Sequence, residues 1–354
     1  MLKTNKNILY LSSRIDFLRF NLKRGKGHLL SYIADRIRWN VYPRIHHVST
    51  FPTHIDLELS SACNLNCPMC YTTTDEFKKN VNRSNMNFDL FKKVVDECAC
   101  YKSHYSIRLS WRGEPFLNPH IFDMVRYAKS KGIKEVSTLT HGGFLDPKKF
   151  EELMDAGIDW ITFSTDGIDE QYEKIRAPLK FKEHVEKLKK YNEIKKRRKS
   201  IKPVIKIQGV WPAVEKAADE YFSIFSPLAD QVVASPLLDF LRRDTNREYI
   251  ENFTCPVLYE RLTIGSDGRA HLCYNDEMGS VIVGDLNKET VYDVWHGKKL
   301  QHARKVHLKH LGVKELPPCK YCMYPRKTKK DSSKLSGKTL KVENYINRPQ
   351  TIGI

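Results

Sequence analysis

Residues 54–70 read HIDLELSSACNLNCPMC, a short alternating run followed at once by three cysteines, Cys63, Cys67 and Cys70. Apolar and polar residues alternate at period two in the first half, which predicts a β-strand. Asn, Pro and Ser after it predict a loop. The next cysteine is Cys98. A disulfide set or tetrahedral metal site would use an even number of nearby thiols, so three in eight residues need a different explanation.

The run at 54–60 opens a rhythm. Five more β-rich runs follow at 106–111, 135–140, 160–165, 204–211 and 230–235, with helical spacing between them. The helical stretches are Phe88 to Cys98, Ile121 to Ala128, and residues 147–156, 181–196 and 213–225. This alternation predicts an α/β fold with a parallel sheet and right-handed crossovers. Periodicity does not distinguish an open sheet from a barrel, but both place active sites at the strand C-terminal ends. CNLNCPMC (63–70), RGEP (112–115), HGG (141–143) and DG (166–167) each follow a strand, so all four are expected on one rim.

The 354 residues are enough for about two domains. Hydrophobic residues make up 41% and charged residues 29%, which describes a globular chain. Sixty Lys and Arg against 42 Asp and Glu leave +18, which favours anionic partners and does not exclude nucleic acid. The first 50 residues hold a basic amphipathic helical stripe, Ile8, Leu11, Ile15, Leu18 and Leu22, expected to dock on the protein. No secretory or transmembrane segment is expected, which points to the cytoplasm, where nine clustered thiols more often bind metal than pair. Residues 51–240 form the α/β core in this reading. Residues 250–325 form a small α+β module with a hairpin around Asp267-Gly268, and 326–354 a basic solvated tail.

A [4Fe-4S] cube is normally held by four thiolates, so three leave one iron open for a substrate or cofactor. The later set, Cys255, Cys273, Cys319 and Cys322, has the four ligands that saturate a second cluster. A zinc ribbon is the alternative reading of those four.

With Cys-x3-Cys-x2-Cys directly after the first core strand, the sequence resembles the radical S-adenosylmethionine (SAM) superfamily over about residues 54–240. That resemblance implies a partial (β/α)6 TIM-like barrel. It also implies a cluster held by Cys63, Cys67 and Cys70, whose open iron chelates SAM for cleavage to a 5'-deoxyadenosyl radical. RGEP resembles the family's Gly-Gly-Glu-Pro motif, so Gly113 and Glu114 are expected at the methionine ammonium, with Arg112 replacing the first Gly. Met69 stands where an aromatic often precedes the third cysteine. FSTDG implies SAM contacts from Ser164 and Asp166, and Arg176 is expected at the SAM carboxylate. The C-terminal module resembles the shortened SPASM type called twitch, which implies an auxiliary [4Fe-4S] cluster.

The resemblance favours a dehydrogenase-like oxidoreductase acting on an anionic or carbohydrate small molecule, such as a nucleotide-linked sugar, which it would oxidise or epimerise. An electron donor such as flavodoxin or ferredoxin is expected. Two readings compete: a peptide-modifying maturase, and a basic zinc-containing nucleic-acid binder with steeply salt-dependent affinity.

Overall fold

A computed structural model describes residues 9–335, 337–348 and 352. Its strands are β1 (Leu9–Tyr10), β2 (His54–Leu57), β3 (Ser106–Arg108), β4 (Glu135–Thr140), β5 (Trp160–Ser164), β6 (Val204–Val210) and β7 (Gln231–Ser235). They are followed by β8 (Arg261–Ile264), β9 (Arg269–His271), β10 (Ile282–Asp285), β11 (Thr328–Leu335) and β12 (Lys338–Tyr345). Strands β2 to β7 pair in parallel and in chain order, with helices between them.

The alternation in HIDLELS is a division of labour between two buried faces. Ile55, Leu57 and Leu59 pack into the main core with Phe91, Val94 and Val95 of the helix Phe88–Cys100. His54, Asp56 and Glu58 lie on the opposite face and are buried too. Buried charge needs partners. Asp56 lies 3.2 Å from both Arg108 and Arg261. Burial opposes its ionisation, yet the two guanidiniums hold its carboxyl well below the usual range. The result is a partial barrel with polar lining and apolar exterior.

The sheet neither closes nor stops at the sixth core strand. Its order is β1-β7-β6-β5-β4-β3-β2-β8-β9-β10, so the first core strand is paired in parallel by β8 from the C-terminal module. The hairpin from β8 to β9 forms as expected, with Gly268 at φ +85° in the turn. No helix among the described residues is long and apolar enough to cross a membrane.

Two terminal expectations need correction. Ile8 lies outside the described residues, Leu9–Tyr10 pairs with β7, and helix α1 (Arg14–Gly25) begins only at the Ser13–Asp16 capping box. Leu11 is buried in the main core as expected, but Ile15, Leu18 and Leu22 are 62%, 59% and 50% exposed, so the helical part of the stripe does not dock on the body. The opposite face docks instead: Arg24 donates two hydrogen bonds to Glu135, at 2.9 and 2.7 Å, and Phe20 packs on Trp160. Buried charge at the barrel end, not apolar surface, selects the face. The segment expected as a solvated tail contains the antiparallel pair β11 and β12. Arg326 and Arg348 tie it to Asp239 and Asp244.

Candidate active site

The loop after β2 gathers Cys63, Cys67 and Cys70 at the C-terminal rim, and their sulfurs feel one another's charge. Cys67 is buried and its two partners half-buried. Burial pushes the Cys63 thiol up to about 11 and raises Cys67 as well. Thiols pushed up in this way become thiolates only when a cation is bound. Met69 is buried in the same small apolar cluster, with Leu65, Ile175, Ala213 and Leu237.

Glu114 faces this loop from the next strand end. Its carboxylate accepts from Thr140 Oγ1 at 2.7 Å, from the Phe116 amide at 3.2 Å and from the His141 amide at 3.1 Å. Burial pushes its carboxyl up to about 7, and those three donors pull the other way. His141 Nε2 lies 3.2 Å from Oε2, but burial lowers that imidazole to about 3 and keeps it neutral, so the carboxylate suits an ammonium partner. His141, in turn, meets Asn64 of the cysteine loop at 2.9 Å.

Gly113 has no room for a side chain. A Cβ there would meet the carbonyl oxygens of Ala62 at 2.2 Å and Ser60 at 2.4 Å. Arg112 does not take the role of a glycine. It turns away and pairs with Glu58, Nε to Oε1 at 2.5 Å and Nη2 to Oε2 at 2.6 Å, both side chains being buried.

Asp166 and Arg176 hold each other. Arg176 Nε donates to Asp166 Oδ2 at 2.8 Å, while Asp166 Oδ1 accepts from the Val210 amide at 2.8 Å. Arg176 is close enough to Cys67 to favour its thiolate. Ser164 ends β5 half-buried and makes no side-chain hydrogen bond to these groups among the described residues. Sequence reasoning missed Thr140, His141 and Asn64 as supports of Glu114. The HGG stretch was the available signal for His141.

Cys255, Cys273, Cys319 and Cys322 are buried around one recess walled by Phe253, Val257, Pro318 and Pro325. Burial pushes Cys255 up to about 12 and places Cys273 and Cys319 well above the ordinary thiol value. Two donors already address one sulfur: Asn275 Nδ2 at 3.3 Å and the Tyr324 amide at 3.4 Å from Cys322 Sγ. Such hydrogen bonds tune iron–sulfur clusters. Among the described residues no three His, Cys, Asp or Glu side chains converge tightly enough for a single metal ion. Thiols set around a hollow fit a multi-iron cube.

A second, partly open pocket adjoins this set, lined by Asp239, Arg242, Asn275, Glu277, Cys322 and Arg326 among others. Phe240 in its wall packs on Tyr71, the residue after Cys70, with ring centroids 5.1 Å apart. The cavity therefore borders the auxiliary cysteines directly, through Cys322, and the three-cysteine loop through the Phe240–Tyr71 contact.

Residues 57–208 match the radical SAM superfamily, and residues 255–323 match an iron–sulfur cluster-binding domain of SPASM type. A tungsten-containing aldehyde ferredoxin oxidoreductase cofactor-modifying protein of Pyrococcus furiosus is 33% identical over 113 residues, 32% of this chain and 30% of that one. The Fe-coproporphyrin III synthase of Methanosarcina barkeri is 25% identical over 167 residues, 46% of this chain and 36% of that one. The chain thus spans about a third of the length of these curated relatives. BtrN, solved with AdoMet and 2-DOIA, superposes with a TM-score of 0.52 at 16% identity, covering 77% of this chain and 91% of that one. SuiB of Streptococcus suis, solved with S-adenosylmethionine, gives 0.55 at 14% identity, over 79% and 74%. These two structures agree with this one in fold. SAM and a [4Fe-4S] cluster are the cofactors of the first matched domain, and an auxiliary iron–sulfur cluster is that of the second. The chain carries a radical SAM superfamily domain over residues 57–208 and a SPASM-type iron–sulfur cluster-binding domain over residues 255–323.

Proposed function

We propose that this protein oxidises an alcohol carbon of an anionic or carbohydrate small molecule, a phosphorylated or nucleotide-linked sugar being the substrate class, in a cytoplasmic setting with a flavodoxin- or ferredoxin-type reductant. The observation that carries this reading is the polar cavity bordering both thiol sets, whose wall includes Arg242, Arg326 and Asn275. Arg326 is buried and held by Asp244, so the cation open to a substrate phosphate is Arg242, whose surface partner Glu76 lies 2.7 Å away and can be exchanged for it.

Cys63, Cys67 and Cys70 hold the SAM-binding cluster, and Cys255, Cys273, Cys319 and Cys322 the auxiliary one. When bound, SAM and the reduced cluster supply a radical that takes a hydrogen atom from a C–H bond, and the auxiliary cluster supplies a one-electron acceptor. Glu114 accepts from the methionine ammonium, and the Gly113 backbone comes close because it carries no side chain. Arg176, held by Asp166, offers positive charge beside Cys67, and Met69, buried with Leu65 and Ile175, would offer the bound SAM an apolar thioether surface. Burial pushes the Glu277 carboxyl up to about 8, so its ionised form, which gains population as pH rises toward that value, takes the hydroxyl proton and the net two-electron oxidation balances. Glu277 is the cavity carboxyl with no ion pair among the described residues, whereas Asp239 is paired with Arg247 and Arg348.

The test is anaerobic incubation with dithionite, SAM and ring-deuterated phosphorylated sugars, reading deuterium in 5'-deoxyadenosine and a carbonyl in the product. Glu277→Gln should lower product formation at least about tenfold while SAM cleavage without substrate persists. Transfer from peptides, with none from any phosphorylated sugar, reverses the reading in favour of peptide maturation.

A further inference from the structure

Helices α1 and α2 (Leu29–Val41) form a hairpin across one end of the barrel. Its inner face meets the N-terminal ends of the core strands. Arg24 pairs with Glu135 at the start of β4, Lys23 with Asp230 just before β7, and Trp39 packs on His54 at the start of β2. The cysteine loop and Glu114 follow the opposite strand ends, so the hairpin lies on the far side of the molecule from the candidate site.

The outer face of this hairpin is unlike the rest of the surface. Among the described residues, eleven of the thirteen exposed large apolar side chains fall between Tyr10 and Ile45. They keep helical spacing: Ile15, Leu18 and Leu22 on α1, then Leu30, Ile33 and Ile37 on α2, with Leu30 84% exposed. Phe20 and Arg24, then Tyr32 and Asp35, occupy the buried faces of the same helices. An apolar stripe is therefore turned outward on both helices, and an exposed patch of this kind marks an interaction site.

Charge chooses the occupant. Residues 9–48 carry eight Lys and Arg against two acidic residues, and of those two Asp35 is fully buried. Arg14, Lys26 and Arg44 are exposed, with no carboxylate partner among the described residues. A second copy of the chain would bring one positive face against another, which like-charge repulsion opposes. Apolar residues rimmed by unpaired Arg and Lys, on helices too short to span, are the pattern of an element lying in an interface of anionic headgroups. We propose that the outer face of the α1–α2 hairpin docks the protein peripherally on an anionic lipid bilayer. The apolar stripe enters the headgroup boundary, the cations meet lipid phosphates, and the catalytic rim points away from the membrane toward water.

The experiment is flotation of the full-length, cluster-loaded protein with vesicles of phosphatidylcholine alone or with about one-third phosphatidylglycerol. The anionic vesicles should carry at least about tenfold more protein, with the difference shrinking as salt rises. Leu30→Glu with Ile37→Glu should remove binding, and Arg14→Gln with Arg44→Gln should weaken it about fivefold per cation. Tyr292→Glu with Leu308→Glu, exposed apolar residues elsewhere, should leave it unchanged. SAM cleavage and circular dichroism of the hairpin variants should match the parent. Equal recovery on both vesicle types, hairpin variants that float like the parent, or a self-association or tight protein complex that the same variants abolish, would each overturn the proposal.

Discussion

At Glu114, burial and hydrogen bonding pull in opposite directions, and the outcome sets how the cofactor-free protein should respond to pH. Its folded value near 7 lies above the ordinary 4.5, so the native state binds this proton more tightly than the unfolded chain does. Stability from this group is therefore full below pH 4.5 and falls as pH rises to about 7. Glu114→Gln should leave the cofactor-free chain unchanged near pH 4.5 and stabilise it by about 2–3 kcal/mol above pH 8. The same change should weaken SAM binding by about 1.5–3 kcal/mol, because an ionic acceptor is lost. Denaturation of both proteins at the two pH values checks this, and a stability difference that does not vary with pH would refute it. Arg112 is read differently. Its change to Ala would leave Glu58, wholly buried, without a cation, and should cost about 3–5 kcal/mol in chemical unfolding. The cysteine spacing could be read from local sequence, since it depends on residues within one loop, whereas the need for Gly113 came through the motif resemblance, because the Ser60 and Ala62 carbonyls it meets lie in the loop after another strand. The pairing of Arg112 with Glu58 could not, because the two lie on different strand ends and nothing periodic links them.

Elements were legible where their burial is periodic. The helix Pro147–Ala156 coincides with its expected range, bounded by the Asp146 cap and by Gly157 at φ 93°. The stretch 213–225, expected as one helix, divides into Trp211–Val214 and Ala218–Phe225. The larger misreadings share a cause. LRRDTNREY at 241–249 reads as a linker and 326–354 as a tail because both are rich in charge, yet Asp244 and Glu248 of the first pair with Arg326, Lys327 and Arg348 of the second, and Asp239 joins the same network. Arg326 meets Asp244 at 2.6 Å, Arg348 meets Asp244 at 2.7 Å and Asp239 at 3.2 Å, and Arg247 meets Asp239 at 2.9 Å. Composition records the charges but not their pairing. Asp239→Ala would leave buried guanidiniums short of an acceptor. It should loosen the β11–β12 hairpin by about 3 kcal/mol, seen as faster amide exchange across 328–345 with the core strands unaffected. Unchanged exchange in that hairpin would show that the network does not hold it.

For the molecule as a whole, the alternating rhythm foretold a parallel sheet but not its extent, since strand pairing between β2 and β8 depends on residues some two hundred positions apart. That pairing makes the C-terminal module a continuation of the barrel, and the two cluster sites then bear on stability unequally. Cys63, Cys67 and Cys70 lie within one short loop, so ligating them closes little chain. The auxiliary set joins Cys255, Cys273, Cys319 and Cys322, bridging most of the module, and loop-closure entropy rises with the length enclosed. Metal binding to sites absent from the unfolded chain adds its free energy to folding. Iron analysis of the anaerobic parent should give about eight irons per chain, if both sites hold four-iron cubes, falling to about four with either cysteine set changed to Ala. The two variants should differ in the melt. Losing the auxiliary set should lower the unfolding midpoint more, and broaden the transition as β8 to β10 part from β2. Losing the three-cysteine loop should abolish SAM cleavage while sparing most of the stability. If the three-cysteine variant proves the less stable of the two, the auxiliary cluster does not staple the module to the barrel.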